Sequence, residues 1–150
     1  MSLLEVKQNI HIQILDESYT DEIVNLLCIL NPHLTRETLQ LRLNQSSRES
    51  CRYVGAFSEE RLLGICGFSR LTKIFCGSSL FLENFVVYPE YRNQQVGTAL
   101  LTFFKTYMKK NNIDVLELDC YLENELAIKF YQSQGFYSRG FHMIYNEKEF

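Results

Sequence analysis

The sequence lacks any C-x-x-C pair and any grouping of cysteine with histidine. Its five cysteines are an odd number, at positions 28, 51, 66, 76 and 120. A disulfide framework uses an even, closely spaced set of cysteines, and a zinc site needs clustered cysteine and histidine ligands. Neither pattern is present, so we expect reduced thiols, no metal site and a cytoplasmic protein.

The sequence also lacks a long apolar run. The longest one, Leu26–Leu30, is far too short to span a bilayer, because a spanning helix needs about 20 apolar residues. The start, Met1–Glu5, has no basic region followed by an apolar core, so it does not resemble a secretory signal. A membrane is therefore not an expected partner.

A surplus of positive charge is missing as well. The formal net charge is −3, whereas a protein that binds nucleic acid is usually basic. The local basic run Lys105–Lys110 falls on a predicted helix and is interpreted as its solvated face. Hydrophobic residues make up 46% of the chain and charged residues 22%, which is typical of a globular protein. We predict a single domain over residues 1–150 that does not bind nucleic acid.

Hydrophobic periodicity predicts the order of the secondary-structure elements. The predicted strands are 9–15, Arg52–Phe57, Arg61–Leu71, Ser78–Val87 and Val115–Cys120, with one or two more over Phe136–Tyr145. The predicted helices are one capped by Ser18 and ended by Pro32, one from Thr35 to Gln45, one over Val96–Lys110 and one over Asn124–Gln134. Short connections make the second to fourth strands antiparallel neighbours, and the crossover helix makes the strands on either side of it parallel. Gly64 and Gly67 are expected at a bulge or a close approach.

The stretch Glu83–Leu101 has the order of a phosphate site. A β-branched strand ends at Val87, a turn follows, and a polar loop with Arg92 and Gly97 opens into an apolar helix. The first amides of a helix lack intrahelical partners and lie at its positive dipole end, so they can hold an anion. A dinucleotide fingerprint needs three glycines and a P-loop needs Gly-Lys-Ser/Thr, but residues 92–98 have one glycine and no lysine.

Two motifs resemble those of the GNAT superfamily of N-acetyltransferases. The first, Arg92-x-x-Gln95-Val96-Gly97, is similar to the superfamily's pyrophosphate loop, Gln/Arg-x-x-Gly-x-Gly/Ala, with Gln95 where glycine is usual. The second matches Asn-x-x-Ala-x-x-Phe-Tyr-x-x-x-Gly-Phe at each named position, which here are Asn124, Ala127, Phe130, Tyr131, Gly135 and Phe136. With the strand between them, the two motifs cover the stretch 80–137.

The resemblance implies an α+β, GNAT-like fold, with a mixed, mostly antiparallel sheet, helices on both faces and a splayed central pair of parallel strands. It implies acetyl-coenzyme A as co-substrate, no metal, and a primary amine of a small molecule or a protein as acceptor. A homodimer is compatible with it. The residues that it places at the coenzyme A site are Phe85, Val86, Val87, Arg92, Asn93, Gln94, Gln95, Val96, Gly97, Thr98 and Asn124.

Glu83 and Tyr131 are the predicted catalytic residues. An amine that resembles lysine has a pKa near ~10, so a base must remove its proton before it can attack a thioester. In the resemblance, Glu83 lies at the cleft end of the fourth strand, and Asp119, Glu123 or bulk water remain alternatives. Tyr131 matches the superfamily's tyrosine that protonates the departing coenzyme A sulfur, and a phenol with a pKa near ~10 still carries its proton at neutral pH.

A coenzyme A binding module with little or no catalytic activity is the alternative hypothesis. It is motivated by Gln95, because a side chain at this position can impede the close backbone approach that glycine permits. Release of thiol from acetyl-coenzyme A in the presence of different amines separates the two hypotheses.

Overall fold

In residues 9–148, the part of the chain that this computed structural model describes, five strands form one sheet. The strands are β1 (Ile10–Ile14), β2 (Arg52–Ser58), β3 (Arg61–Lys73), β4 (Gly77–Val87) and β5 (Val115–Leu118). The four helices in the same residues are α1 (Thr20–Leu30), α2 (Arg36–Arg48), α3 (Val96–Lys110) and α4 (Glu125–Ser133). Short 3₁₀ turns, Glu17–Tyr19 and Pro89–Tyr91, precede α1 and the loop before α3.

The strands follow one another across the sheet in the order β1-β2-β3-β4-β5. The first four are antiparallel neighbours, and β4 pairs with β5 in parallel. α3 lies between β4 and β5 in the chain. It provides the crossover connection that a parallel pair of strands needs. The predicted α+β class with a mostly antiparallel sheet is confirmed, although β5 ends at Leu118, two residues before the predicted end.

Helices cover both faces of this sheet. On one face, α1 and α2 pack with Tyr53, Phe57 and Ile65 in a single buried cluster. On the other face, the fully buried ring of Phe104 in α3 meets the ring of Phe68 edge-on, with 5.4 Å between the centroids. Burying one such aromatic side chain contributes about 2–3 kcal/mol to folding. The sheet is therefore held between two layers, which fixes the strand ends that carry the candidate site.

The starts of α1 and α2 are set by local hydrogen bonds. Thr35 caps α2, because its hydroxyl accepts a bond from the N–H of Thr38 at 3.2 Å. The prediction that Ser18 caps α1 is wrong. Asp16 instead accepts a bond from the N–H of Ser18 at 2.9 Å and caps the 3₁₀ turn, so α1 begins only at Thr20.

Residue contacts divide the chain into two compact units, of which the first ends at Leu118 and the second begins at Asp119. The single-domain expectation stays a prediction. None of the helices in residues 9–148 combines the length and the apolar character needed to cross a membrane. The expectation for Met1–Glu5 falls outside the described residues.

The second unit holds α4 and, in residues 119–148, no strand. The prediction of one or two strands over Phe136–Tyr145 is wrong. The apolar side chains there are exposed, with Tyr137 at 78%, Phe141 at 86% and Tyr145 at 90%. Strand propensity largely reflects packing against neighbouring strands, so a β-forming segment does not become a strand through its composition alone.

Candidate active site

A bulge interrupts the pairing of β3 with β4 beside Glu83. The pairs Gly67–Glu83 and Ile65–Val86 are separated by one residue on β3 and by two on β4. One of these two, Asn84, has a φ of 50°, in the left-handed region that asparagine tolerates better than most residues. A bulge bends its strand and redirects side chains, so this one sets the direction of Glu83.

A buried tyrosine holds this bulge. A Cβ on Gly67 would lie 3.1 Å from the carbonyl oxygen of Glu83 and 3.1 Å from the ring of Tyr53, so glycine permits both approaches. The Tyr53 hydroxyl accepts a bond from the side-chain amide of Asn84 at 3.0 Å. Burial raises the pKa of Tyr53, so its phenol stays neutral over the physiological pH range.

The carboxylate of Glu83 has a buried thiol beside it. The Sγ atom of Cys51 donates to Oε1 of Glu83 at 2.9 Å, and Cys51 is only 7% exposed. Burial, and secondarily the hydrogen bond and charge of Glu83, raise the pKa of Cys51 to about 12. The thiol therefore keeps its proton at neutral pH and acts as a hydrogen-bond donor to the carboxylate.

β4 extends beyond its parallel partner. The β4–β5 ladder ends at the pair Leu82–Leu118, whereas β4 continues to Val87. The predicted base and three of the residues predicted at the coenzyme A site, 85–87, all belong to this extension. The end of the ladder before Glu83 is consistent with the predicted splay of the two strands.

The loop before α3 is shaped by its backbone. Asn93 has a φ of 60° and Gln95 a φ of 68°, both in the left-handed region. Gln95 directly precedes α3, and a left-handed residue followed by a helical one turns successive amides to one side and forms an anion-binding concavity. Within residues 9–148, the side chain of Gln95 makes no capping bond to these amides. The start of α3, at Val96 and Gly97, is thus suited to a pyrophosphate group.

Side chains near this loop hold the preceding turn. The side-chain amide of Gln94 donates to the carbonyl oxygen of Glu90 at 3.2 Å. Tyr91 is buried, and its hydroxyl accepts a bond from the Arg61 guanidinium at 3.1 Å. Arg92, predicted to bind the phosphate, has an exposed side chain. Gln94 therefore supports the loop conformation, while Arg92 faces solvent.

Asn124 and Tyr131 lie in the second unit. The side chain of Asn124 accepts a bond from the N–H of Ala127 at 3.2 Å and so caps α4. Tyr131 is half-buried, and its ring packs edge-on against Phe136 with 5.7 Å between the centroids. This packing restricts the ring of Tyr131.

The two alternative carboxylates have different surroundings. Asp119 lies 3.2 Å from Nδ1 of His142, and both side chains are more than half exposed. Glu123 is exposed. Of the three acids considered as the base, Glu83 is the one that receives a bond from a buried donor, Cys51.

Sequence analysis did not identify Cys51 and Tyr53 as site residues. The two lie two positions apart, so their side chains share a face in an extended segment. Their partners on β4, Glu83 and Asn84, follow 32 and 31 positions later in the chain. Only the register of β2 on β3 and of β3 on β4 brings them together.

Comparison with known proteins identifies the chain's family. The model of the Acetyltransferase (GNAT) family matches residues 13–136, and the chain belongs to this family. Comparison with curated protein sequences gives no match.

Solved structures agree with this fold. A possible acetyltransferase from Clostridium difficile 630 is 19% identical with a TM-score of 0.81, over 94% of this chain and 99% of that one. AAC(6')-Iy, in complex with a bisubstrate analog, CoA-S-monomethyl-acetylneamine, is 18% identical with a TM-score of 0.79 and the same coverage. Glucosamine-6-phosphate N-acetyltransferase from Arabidopsis thaliana is 20% identical with a TM-score of 0.68, over 94% of this chain and 100% of that one. At these identities the likeness establishes the fold.

Proposed function

We propose that this chain is an N-acetyltransferase that moves the acetyl group of acetyl-coenzyme A to a primary amine by direct attack. The observation that carries the proposal is the Glu83 carboxylate, aimed by a bulge at the end of the β4–β5 ladder and bonded by the buried thiol of Cys51. Membership of the acetyltransferase family supports the same chemistry.

Glu83 is the proposed base. It takes a proton from the protonated amine, directly or through one water, because only the neutral amine has a lone pair for attack. The amine nitrogen then bonds to the thioester carbonyl carbon, and the carbon–sulfur bond breaks. A backbone N–H of residues 85–87 is proposed to stabilise the oxyanion that forms between these steps.

Tyr131 is the proposed acid. Its phenol gives a proton to the departing thiolate, so free coenzyme A leaves as a thiol, and the attacking nitrogen loses its second proton to solvent as the neutral amide forms. The phenol is suited to this role because its usual pKa, near ~10, lies above the value near ~8.5 of an ordinary thiol. The phenolate then recovers its proton from solvent.

Acetyl-coenzyme A supplies the activated acetyl thioester. We assign its pyrophosphate to the amides of residues 93–98 with help from Arg92, and its pantetheine to the backbone of Phe85, Val86 and Val87, with Asn124 as a further contact. The left-handed conformations of Asn93 and Gln95 support the first assignment, because they direct amides to one side of the loop. No metal is needed for this chemistry.

The proposed acceptor is a primary amine, on either a small molecule or a protein. We propose that the reaction takes place in the cytoplasm, where the five unpaired thiols of the chain would stay reduced. A homodimer is compatible with the proposal, which assigns no role to nucleic acid or membrane.

Thiol release from acetyl-coenzyme A tests this function. The wild type is assayed with small amines, a peptide with a free N-terminus and a peptide with lysine, and each is paired with its N,N-dimethyl derivative. Release with a primary amine and none with its dimethyl partner is expected, since a tertiary amine cannot give a stable amide. Binding of acetyl-coenzyme A without release by any amine would favour the alternative, a coenzyme A binding module.

A further inference from the structure

The proposed chemistry uses the carboxylate of Glu83 and gives no role of its own to the thiol of Cys51 that donates to it. We infer that Cys51 is a positioning residue for Glu83, whose Oε1 it holds so that Oε2 is presented to the amine proton. The inference rests on the proposed function of Glu83 as the base. Its geometric basis is the 2.9 Å bond from Sγ to Oε1, while no donor in residues 9–148 bonds to Oε2.

The position of Cys51 is fixed by the end of α2. Ser50 has a φ of 73°, which reverses the chain after the helix, and the N–H of Cys51 donates to the carbonyl oxygen of Ser46 at 2.9 Å. The side chain of Cys51 then packs into the same buried cluster as Leu39 and Leu43 of α2. A thiol held in this way cannot swing away from the carboxylate without disturbing the core.

A second bond restrains the main chain next to Glu83. The side-chain amide of Asn84 donates to the buried hydroxyl of Tyr53 at 3.0 Å and holds the bulge. Glu83 is therefore restrained twice, through its backbone by this bond and through its carboxylate by Cys51. A base held in one orientation has less freedom to lose on reaching the transition state.

Within residues 9–148, three titratable groups with a shifted pKa lie next to Glu83. They are Cys51 before β2, Tyr53 on β2 and Cys66 on β3, and burial raises the pKa of each. All three are neutral near pH 7, so none supplies a charge to the carboxylate. The raised pKa also argues against Cys51 as an acetyl-accepting nucleophile, because the thiolate is the reactive form of cysteine. The remaining role for the thiol is that of a donor.

Two substitutions of Cys51 separate donation from packing. Cys51→Ala removes the donor, and we expect kcat/KM to fall by about tenfold while the acid limb of its pH profile moves to higher pH, because a donated hydrogen bond favours the charged form of a carboxylate. Cys51→Ser keeps a donor of similar size and is expected to restore the rate to within about threefold, with the acid limb at or below its wild-type position. The KM for acetyl-coenzyme A should stay unchanged in both.

Cys28→Ala is the matched control, since Cys28 packs against the same cluster without a bond to Glu83. It is expected to leave the pH profile where it is. A Cys51→Ala profile that coincides with that of Cys28→Ala would overturn the inference. The same conclusion follows if Cys51→Ser fails to restore the rate although it folds as well as the wild type.

A spectroscopic measurement needs no turnover. The Raman S–H stretching band of Cys51, isolated by subtracting the Cys51→Ser spectrum, should move to higher wavenumber in Glu83→Ala, because a hydrogen-bonded S–H stretches at lower frequency. If the band does not move and the wild type transfers acetyl groups, only the inference about Cys51 is overturned. If the band moves but the wild type acts on no amine, the proposed function is overturned and the thiol–carboxylate bond is established.

Discussion

The bulge beside Glu83 and the loop before α3 are built in different ways. At the bulge, buried side chains do the positioning, as Cys51 donates to Glu83 and Asn84 donates to Tyr53. In the loop, the backbone does most of the positioning, through the left-handed residues Asn93 and Gln95, whose side chains are exposed. We therefore expect the bulge to respond to the loss of single polar atoms, and the loop to respond to changes of side-chain bulk.

Tyr131→Phe, in the second unit, should lower turnover far more than stability. The substitution removes one oxygen while the ring still packs against Phe136, so the melting temperature should change little. Turnover should fall by roughly 10²-fold, because a positioned proton donor is lost. Single-turnover acetyl transfer and thermal unfolding are measured on the same sample.

Tyr137→Phe is the control for this substitution, because Tyr137 belongs to the same unit and is 78% exposed. It should change neither rate nor stability. A Tyr131→Phe protein that loses stability and keeps its rate would make Tyr131 a packing residue.

Gly97→Val tests the backbone character of the loop. A branched side chain at the start of α3 should block the approach of the pyrophosphate and weaken acetyl-coenzyme A binding by at least about tenfold, or ~1.4 kcal/mol. Calorimetric titration measures the affinity. Gly140→Val is the control, since a Cβ there meets nothing within 4 Å. Equal affinities for the two variants would remove the loop from the binding site.

Tyr53→Phe tests the side-chain character of the bulge. The substitution keeps the ring and leaves the Asn84 amide without its acceptor, so unfolding in urea should show a loss of about 1 kcal/mol. Tyr107→Phe provides the comparison, because the half-buried ring of Tyr107 also packs against another aromatic ring, 5.8 Å from that of Phe68. Equal stability of the two variants would mean that the Asn84–Tyr53 bond does not hold the bulge.

Gln95→Gly should have the smallest effect. The left-handed conformation costs a non-glycine residue about 1 kcal/mol, which the substitution by glycine removes. Much of the resulting gain in stability is offset by the greater freedom of glycine in the unfolded chain. Affinity for acetyl-coenzyme A should stay the same or rise. Ser50→Gly, at another left-handed position, separates the folding effect from binding. A large loss of affinity in Gln95→Gly alone would make the glutamine side chain a ligand.

The elements and the loop could be predicted from sequence because their signals are local. The bounds of α3 were predicted correctly at both ends. Gly64 lies at a close approach of two strands, as predicted, since a Cβ there would be 2.8 Å from the carbonyl oxygen of Val86. The strands predicted over Phe136–Tyr145 were wrong, because propensity does not supply a partner strand. The role of Cys51 was missed because its contact with Glu83 depends on the registers of three strands.

Single-turnover acetyl transfer by Glu83→Gln, followed across pH, tests most sharply whether Glu83 is the base. The change keeps the size of the side chain and removes its capacity to take a proton, so the rate should fall on the order of 10²-fold and the acid limb should disappear. Affinity for acetyl-coenzyme A should stay within about twofold of the wild type. Glu49→Gln, which neutralises an exposed carboxylate at the end of α2, should match the wild type. A Glu83→Gln rate within about twofold of the wild type, with its acid limb intact, would mean that Glu83 is not the base.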